Sequence, residues 1–160
     1  MPKVSVILTS FNHAQFIGES IESVLNQSFG DFELIIWDDA SADGSWEMIH
    51  TFPDRRIRSF RNSRNEGPVF GVNKAISEVA TGQYIAIHHS DDVWEPDKLQ
   101  QQVPVLDAHP EIGAVFTWVK IIDENGCENS DGWFNQEFRS RSKWLNSLFL
   151  SVISSLIPVF

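Results

Sequence analysis

Three short apolar runs, residues 4–8, 34–37 and 84–87, each stop abruptly at a polar cluster. The first gives way to Thr9, Ser10, Phe11 and Asn12, the second to Asp38-Asp39, the third to His88-His89-Ser90-Asp91-Asp92. Brief continuous apolar runs bounded in this way read as strands buried on both faces. Helical patterns separate them. Ile17, Ile21, Val24 and Leu25 recur at i, i+4, i+7 and i+8, one face of a helix. Asp43 is placed to N-cap a short helix near 45–51, and residues 57–60 form a further strand candidate. Asn65-Glu66-Gly67-Pro68 is a turn that starts a helix with Val69, Val72, Ile76 and Val79 on one face. Glu95-Pro96-Asp97 opens another helix carrying Leu99, Val103 and Leu106, which Pro104 is expected to kink or break. Residues 114–122 are a fifth strand candidate. Strands alternating with helices imply parallel pairing and a sheet covered on both faces, the α/β class.

Composition supports a single packed domain. The 160 residues are 42% hydrophobic and include six Trp and twelve Phe, which excludes a disordered tail. The formal charge of −10 excludes an electrostatic nucleic-acid binder, which needs a basic face. That charge is uneven: residues 1–54 carry nine acids and one base, 55–74 six bases and one acid, 75–160 twelve acids and five bases. A basic island between acidic blocks suits help at a bound anion, or a solvated loop. The single Cys127 forms no internal disulfide. No leader-type segment precedes the first apolar run, and the helix-like stretch 145–160, with four Ser and Pro158, falls short of the roughly 20 apolar residues of a membrane span. A cytoplasmic protein is expected, with peripheral association at the inner face of the membrane left open.

In an open α/β sheet, ligands bind beyond the carboxyl ends of the strands, where all three polar clusters fall. Adjacent carboxylates repel and are best tolerated where a donor or cation neutralises them. Mg²⁺ or Mn²⁺ takes one or two carboxylates together with phosphate oxygens. Turn and capping chemistry is the alternative for each pair alone. Arg64 and Lys74, beside the 65–67 turn, offer positive charge.

Order and motif together resemble the family 2 glycosyltransferases, whose fold is GT-A. The matching stretches are VSVILTSFN at 4–12, IESVLNQS at 21–28, DFELIIWDDASADGS at 31–45, Asn65-Glu66-Gly67, and GQYIA at 82–86 leading to Ser90-Asp91-Asp92. The resemblance covers residues 2–123. It implies a Rossmann-like three-layer α/β/α domain over 1–123 that binds a nucleotide sugar, and the start of an incomplete acceptor-binding region over 124–160. It further implies that Thr9, Ser10 and Phe11 line the nucleobase pocket, with Phe11 stacking on the base, and that Asn12 belongs to the substrate contacts. Asp39 would accept from a uracil N–H, which favours a UDP- or dTDP-sugar. Asn65, Gly67, Lys74 and Asp91 would complete the substrate contacts, with Asp91 and Asp92 holding Mn²⁺ or Mg²⁺. The implied reaction is metal-dependent, inverting transfer of a sugar to a hydroxyl acceptor in polysaccharide or cell-surface glycan synthesis.

Two departures from the pattern stand out. The family's Asp-x-Asp falls at His89-Ser90-Asp91, so its first carboxylate is a histidine. His88 and His89 point to opposite faces of a strand, so at most one faces a site. The catalytic base expected in the acceptor half is not identified: Asp123, Glu124, Glu128, Asp131 and Glu137 are present, none within a matching motif. Trp133 and Trp144 are candidates to line an acceptor region. The alternative function is therefore a nucleotide-sugar-binding module or fragment without complete catalytic machinery. A nucleotidyltransferase is disfavoured because residues 9–13 contain no Gly, Lys or Arg, and a dehydrogenase because G-x-G-x-x-G is missing there.

Overall fold

The computed structural model describes residues 1–117, 119–123, 126–131 and 156–158. Strands β1 (Val4–Ser10), β2 (Phe32–Asp38), β3 (Ile57–Arg61) and β4 (Tyr84–His89) alternate with helices α1 (Ile17–Leu25), α2 (Ser45–Ile49) and α3 (Pro68–Lys74). Helix α3 runs directly into a π-helical turn, Ala75–Val79, and α4 (Lys98–Ala108) follows β4. The sheet order is β3-β2-β1-β4-β7, with β1 to β4 mutually parallel and β7 (Leu156–Pro158) antiparallel at the edge beside β4. Helix was expected for the stretch containing β7. An edge is where a strand tolerates Pro158, which has no N–H to donate.

Period-two alternation splits the core. Val4, Val6, Leu8, Leu34 and Ile36 face α1, α2 and α4, while Ile7, Ile35 and Ile85 face α3 and the π turn. Each such fully buried aliphatic side chain contributes about 1.5–3 kcal/mol relative to exposure. At the amino ends of the strands Glu33 accepts hydrogen bonds from Ser5 Oγ (2.7 Å), Thr81 N–H and Thr81 Oγ1 (both 2.8 Å). Burial alone would raise this carboxyl; these bonds and one from Arg58 outweigh it and hold it below the usual range. Gly82 lies so close that a Cβ would sit 2.5 Å from Ser5 N.

Several sequence expectations change. The buried face of the 68–79 segment is Gly71, Ala75 and Val79, whereas Val69 and Ile76 are exposed. Gly71 and Ala75 lie one α-helical turn apart, and the π turn that follows, in which Ala80 N–H bonds Ala75 O across five residues, brings Val79 onto the same side. Helix α4 continues through Pro104 without a break, because Pro104 and Gln100, whose carbonyl loses its donor, are both exposed to water. The 114–122 run is not one strand; only Lys120–Ile122 is (β5), paired antiparallel with Glu128–Asp131 (β6). Cys127 is a free, exposed thiol. Glu124, Trp133, Glu137 and Trp144, and most of 145–160, lie outside the described residues. Among the described residues no helix is long and apolar enough to cross a membrane.

Candidate functional site

The strand order reverses direction between β1 and β4, and a crevice opens there at the carboxyl ends. Register places Thr9, Trp37 and His89 abreast in one row. A cavity of about 270 Å³ sits beyond that row. Thr9, Ser10, Phe11 and His13 line it from the β1 end, Trp37 and Asp39 from β2, and His89, Ser90 and Asp91 from β4. Asn65, Gly67, Pro68 and Gly71 close it from the α3 side. Phe11 is 42% exposed, so its ring is available to stack on a planar ligand.

The two neighbouring carboxylates at the end of β2 do different work. Asp38 is fully buried and serves the turn: it accepts from Ser41 N–H (3.0 Å) and the Ser41 hydroxyl, and pairs with Arg61 Nε at 3.2 Å. Asp39 turns to the cavity. Its Oδ1 accepts from Asn62 Nδ2 (2.6 Å) and Glu66 N–H (2.8 Å), and its Oδ2 from Gly67 N–H (2.8 Å). Ala40 then takes a left-handed φ of 63°. Asn12, also left-handed at 55°, locks the β1 loop to the β2 loop: Asn12 N–H donates to Ser41 Oγ and Asn12 Oδ1 accepts from Ala42 N–H, both at 2.9 Å. Its side chain is spent on the scaffold and does not line the cavity. Gly44 occupies the α2 cap position, yet Asp43 supplies the cap interaction through Ser45 N–H at 3.0 Å.

At the end of β4 the two histidines separate as alternation requires. His88 is buried against Trp94, and its Nε2 lies 2.9 Å from Ser20 Oγ. Ser20 donates its one proton to His89 O (3.0 Å), so the His88 Nε2 must carry the hydrogen of the first bond. Burial, foremost, pushes the imidazole down to about 3, so it is neutral. His89 faces the cavity, and His13 Nδ1 meets Ser90 Oγ at 2.7 Å across the crevice. Asp91 lines the cavity; Asp92 follows it in the chain, exposed at its surface yet closely surrounded by protein atoms. That crowding first, and the Asp91 charge second, raise the Asp92 carboxyl.

This donor set can be tested against a metal ion. Among the described residues no three His, Cys, Asp or Glu side chains converge as a ligand group. An all-protein zinc site is therefore not built here. Asp91 and Asp92 supply two adjacent hard oxygen donors, which fits Mg²⁺ or Mn²⁺ whose remaining ligands are phosphate and water.

Lys74 and Arg64 are not brought to the cavity: Lys74 pairs with Glu78 and Arg64 with Glu66 on the surface. Asp123 accepts Cys127 N–H and Glu128 pairs with Lys120, both within the β5–β6 hairpin. Sequence reasoning missed His13, Trp37, Pro68 and Gly71. His13 carried a signal, since it directly follows the polar cluster after β1. Trp37 carried a weaker one, as the last apolar residue before a strand-end acid pair.

Comparison with known proteins bears on the family and the fold. The sequence profile described as "Glycosyl transferase family 2" matches residues 5–156. EpsE of Bacillus subtilis (strain 168), named as a glycosyltransferase, is 38% identical over 132 residues, 81% of this chain and 47% of EpsE. WfaP of Escherichia coli, named "UDP-Glc:alpha-D-GlcNAc-diphosphoundecaprenol beta-1,3-glucosyltransferase", is 35% identical over 67% of this chain and 42% of WfaP. The mannosyltransferase PcManGT from Pyrobaculum calidifontis, solved with GDP-Man and Mn²⁺, superposes with a TM-score of 0.67 at 30% identity. That superposition covers 75% of this chain and 36% of PcManGT. S. aureus TarS 1-349 in complex with UDP-GlcNAc gives a TM-score of 0.72 at 23% identity over 87% of this chain and 42% of TarS, a likeness of fold. The chain thus spans less than half the length of these relatives.

Proposed function

The chain belongs to glycosyl transferase family 2, and on that premise we propose that its cavity binds the nucleotide of a UDP- or dTDP-sugar for transfer to an acceptor hydroxyl. The observation that carries this reading is Asp39. It is a buried carboxylate on the cavity wall, held by three N–H donors and by no basic side chain among the described residues. A carboxylate offers about four acceptor sites. The one left over matches the single imide N–H of uracil or thymine. Phe11 stacks on the base, and Thr9 and Ser10 border it. The GDP-Man and UDP-GlcNAc complexes of PcManGT and TarS support a nucleotide sugar as the class of donor.

Asp91 and Asp92 would hold Mn²⁺ or Mg²⁺. Such an ion, when bound, supplies positive charge against the departing diphosphate. His13, fixed by Ser90, and the loop at Asn65 and Gly67 orient the nucleotide so that the sugar is presented to an acceptor, a contribution of proximity and alignment. Direct displacement by the acceptor hydroxyl inverts the anomeric centre. On this reading the acceptor is a growing glycan and the reaction runs at the inner face of the membrane; the lipid-linked sugar in the name of WfaP supports a glycan acceptor. A second reading is donor binding without transfer, with no residue assigned as the catalytic base.

Calorimetric titration of UDP-glucose with and without Mn²⁺, paired with a UDP-release assay, tests both. Metal-dependent binding with release supports the transferase, and binding without release for any acceptor or water supports the module. Loss of the metal dependence in Asp91→Asn and Asp92→Asn is expected. An absence of nucleotide binding in either condition overturns both readings.

A further inference from the structure

We infer that Trp37 and Asn62 are positioning residues that set the nucleobase preference of the cavity by dictating which acceptor site of Asp39 remains open. The inference rests on the donor-binding reading above and goes beyond it, since neither side chain was assigned a role there.

The three residues form a directional relay. Trp37 Nε1–H donates to Asn62 Oδ1 at 2.9 Å, and Asn62 Nδ2 donates to Asp39 Oδ1 at 2.6 Å. An indole N–H only donates and a carboxylate only accepts, so one amide orientation alone satisfies both ends. The opposite orientation would set donor against donor and acceptor against acceptor. The relay is anchored at Trp37, which is 9% exposed and stacked on Phe60 at 5.1 Å with 16° between ring planes. Gly71 closes on the same ring: a Cβ there would lie 2.8 Å from Trp37 Cδ1.

The consequence falls on Asp39. Asn62 and Glu66 N–H occupy Oδ1, Gly67 N–H occupies half of Oδ2, and one acceptor site remains. A single site serves a base edge with one N–H flanked by carbonyls, that of uracil or thymine. Guanine presents two adjacent donors, N1–H and the exocyclic amine, and finds one acceptor too few. Removing Asn62 frees a site on Oδ1 and lets the carboxylate take both guanine donors. The relay therefore acts on the choice of base more than on nucleotide affinity as a whole.

The test is calorimetric titration of UDP and GDP, with Mn²⁺, into the protein and its Trp37→Phe, Asn62→Leu and doubly substituted forms. The parent is expected to prefer UDP by about tenfold or more, one charge-assisted hydrogen bond. Asn62→Leu should reduce that ratio at least about fivefold, Trp37→Phe should move it the same way by a smaller factor, and the double form should match Asn62→Leu, as for residues acting through one path. Trp37→Phe keeps the aromatic ring and its stacking, so it decides the matter if Asn62→Leu does not fold. Equal weakening of UDP and GDP, with the ratio unmoved, would mean a purely structural role and overturns the inference while leaving donor binding intact. Failure of the parent to bind either nucleotide instead overturns the donor-binding reading and the inference with it.

Discussion

Replacing Gly71 by alanine sets two effects of opposite sign against each other at one atom. In an open helix interior the change stabilises by about 1 kcal/mol, because alanine loses less backbone entropy. Here the new Cβ would lie 2.8 Å from Trp37 Cδ1, 3.0 Å from Cγ and 3.3 Å from Cβ, against the 3.4–4 Å of ordinary contact. Roughly 0.6 Å must be found at the closest pair, the difference between 2.8 and 3.4 Å. Trp37 cannot yield it cheaply, being stacked on Phe60 and bonded to Asn62. Either α3 lifts from the sheet, at about 1–3 kcal/mol for overpacking, or the indole tilts and surrenders a hydrogen bond worth about 1 kcal/mol. The steric side wins: about 1–3 kcal/mol of overpacking less the gain of about 1 leaves a net loss of about 1 kcal/mol, or about 2–4 °C in Tm for a chain of this size. Urea unfolding followed by circular dichroism measures it, with an unchanged m-value. Gly30→Ala is the control: nothing lies within 4 Å of its Cβ position, so it should be neutral or slightly stabilising. A Gly71→Ala protein as stable as the parent would refute the close approach of α3 to β2, and with it the anchoring of Trp37.

Two further outcomes follow from the scaffold. His88 is held neutral down to about pH 3 while its unfolded counterpart protonates near 6.5, so the unfolded state binds more protons in between and stability falls as pH drops through that window, by up to about 1.4 kcal/mol per unit. Asp92, raised, acts in the opposite sense above 3.8, so the slope between pH 5 and 6.5 should be compared in parent and His88→Gln, where the His88 contribution should vanish. Gly82→Ala, whose Cβ would meet Ser5 N at 2.5 Å, should cost at least about 2 kcal/mol by displacing backbone against backbone. Because it lies at the opposite end of the strands, UDP affinity of the protein that remains folded should be unaltered in calorimetry.

What could be read in the sequence divides along physical lines. The strands and α1 were legible because their apolar periods are local and strong: Ile17, Ile21 and Val24 are all fully buried where the period puts them. The strand-end clusters were legible as a site because topology sends every carboxyl end of a parallel sheet to the same edge. The buried face of 68–79 was not, since a π turn has no period of its own to announce it. The partition of labour between Asp38 and Asp39 was equally hidden. Both are acids at a strand end, and only the placement of Arg61 and Ser41 makes one a turn residue. Trp37 and Asn62 are 25 residues apart, and nothing local marks them as partners.

The basic island illustrates how charge in sequence and charge in space differ. Its cations suited an anion site, yet Arg56 pairs with Asp54, Arg58 with Glu33, Arg61 with Asp38, Arg64 with Glu66 and Lys74 with Glu78. Three buried acids stand at the two ends of β2, and the island neutralises two of them, Glu33 and Asp38. Asp39 is left to backbone and amide donors, which hold its charge while keeping it open to a ligand. Among the described residues the cavity wall then carries Asp39 and Asp91 with no Lys or Arg. A diphosphate entering such a wall meets like charge, and two unit charges about 5 Å apart repel by roughly 3 kcal/mol at an effective dielectric of 20. On the proposed reading the nucleoside has no such difficulty, since Asp39 would meet its base through an N–H. The same geometry that makes the cavity a good reader of a base therefore makes it a poor holder of phosphates unless a divalent cation joins Asp91 and Asp92.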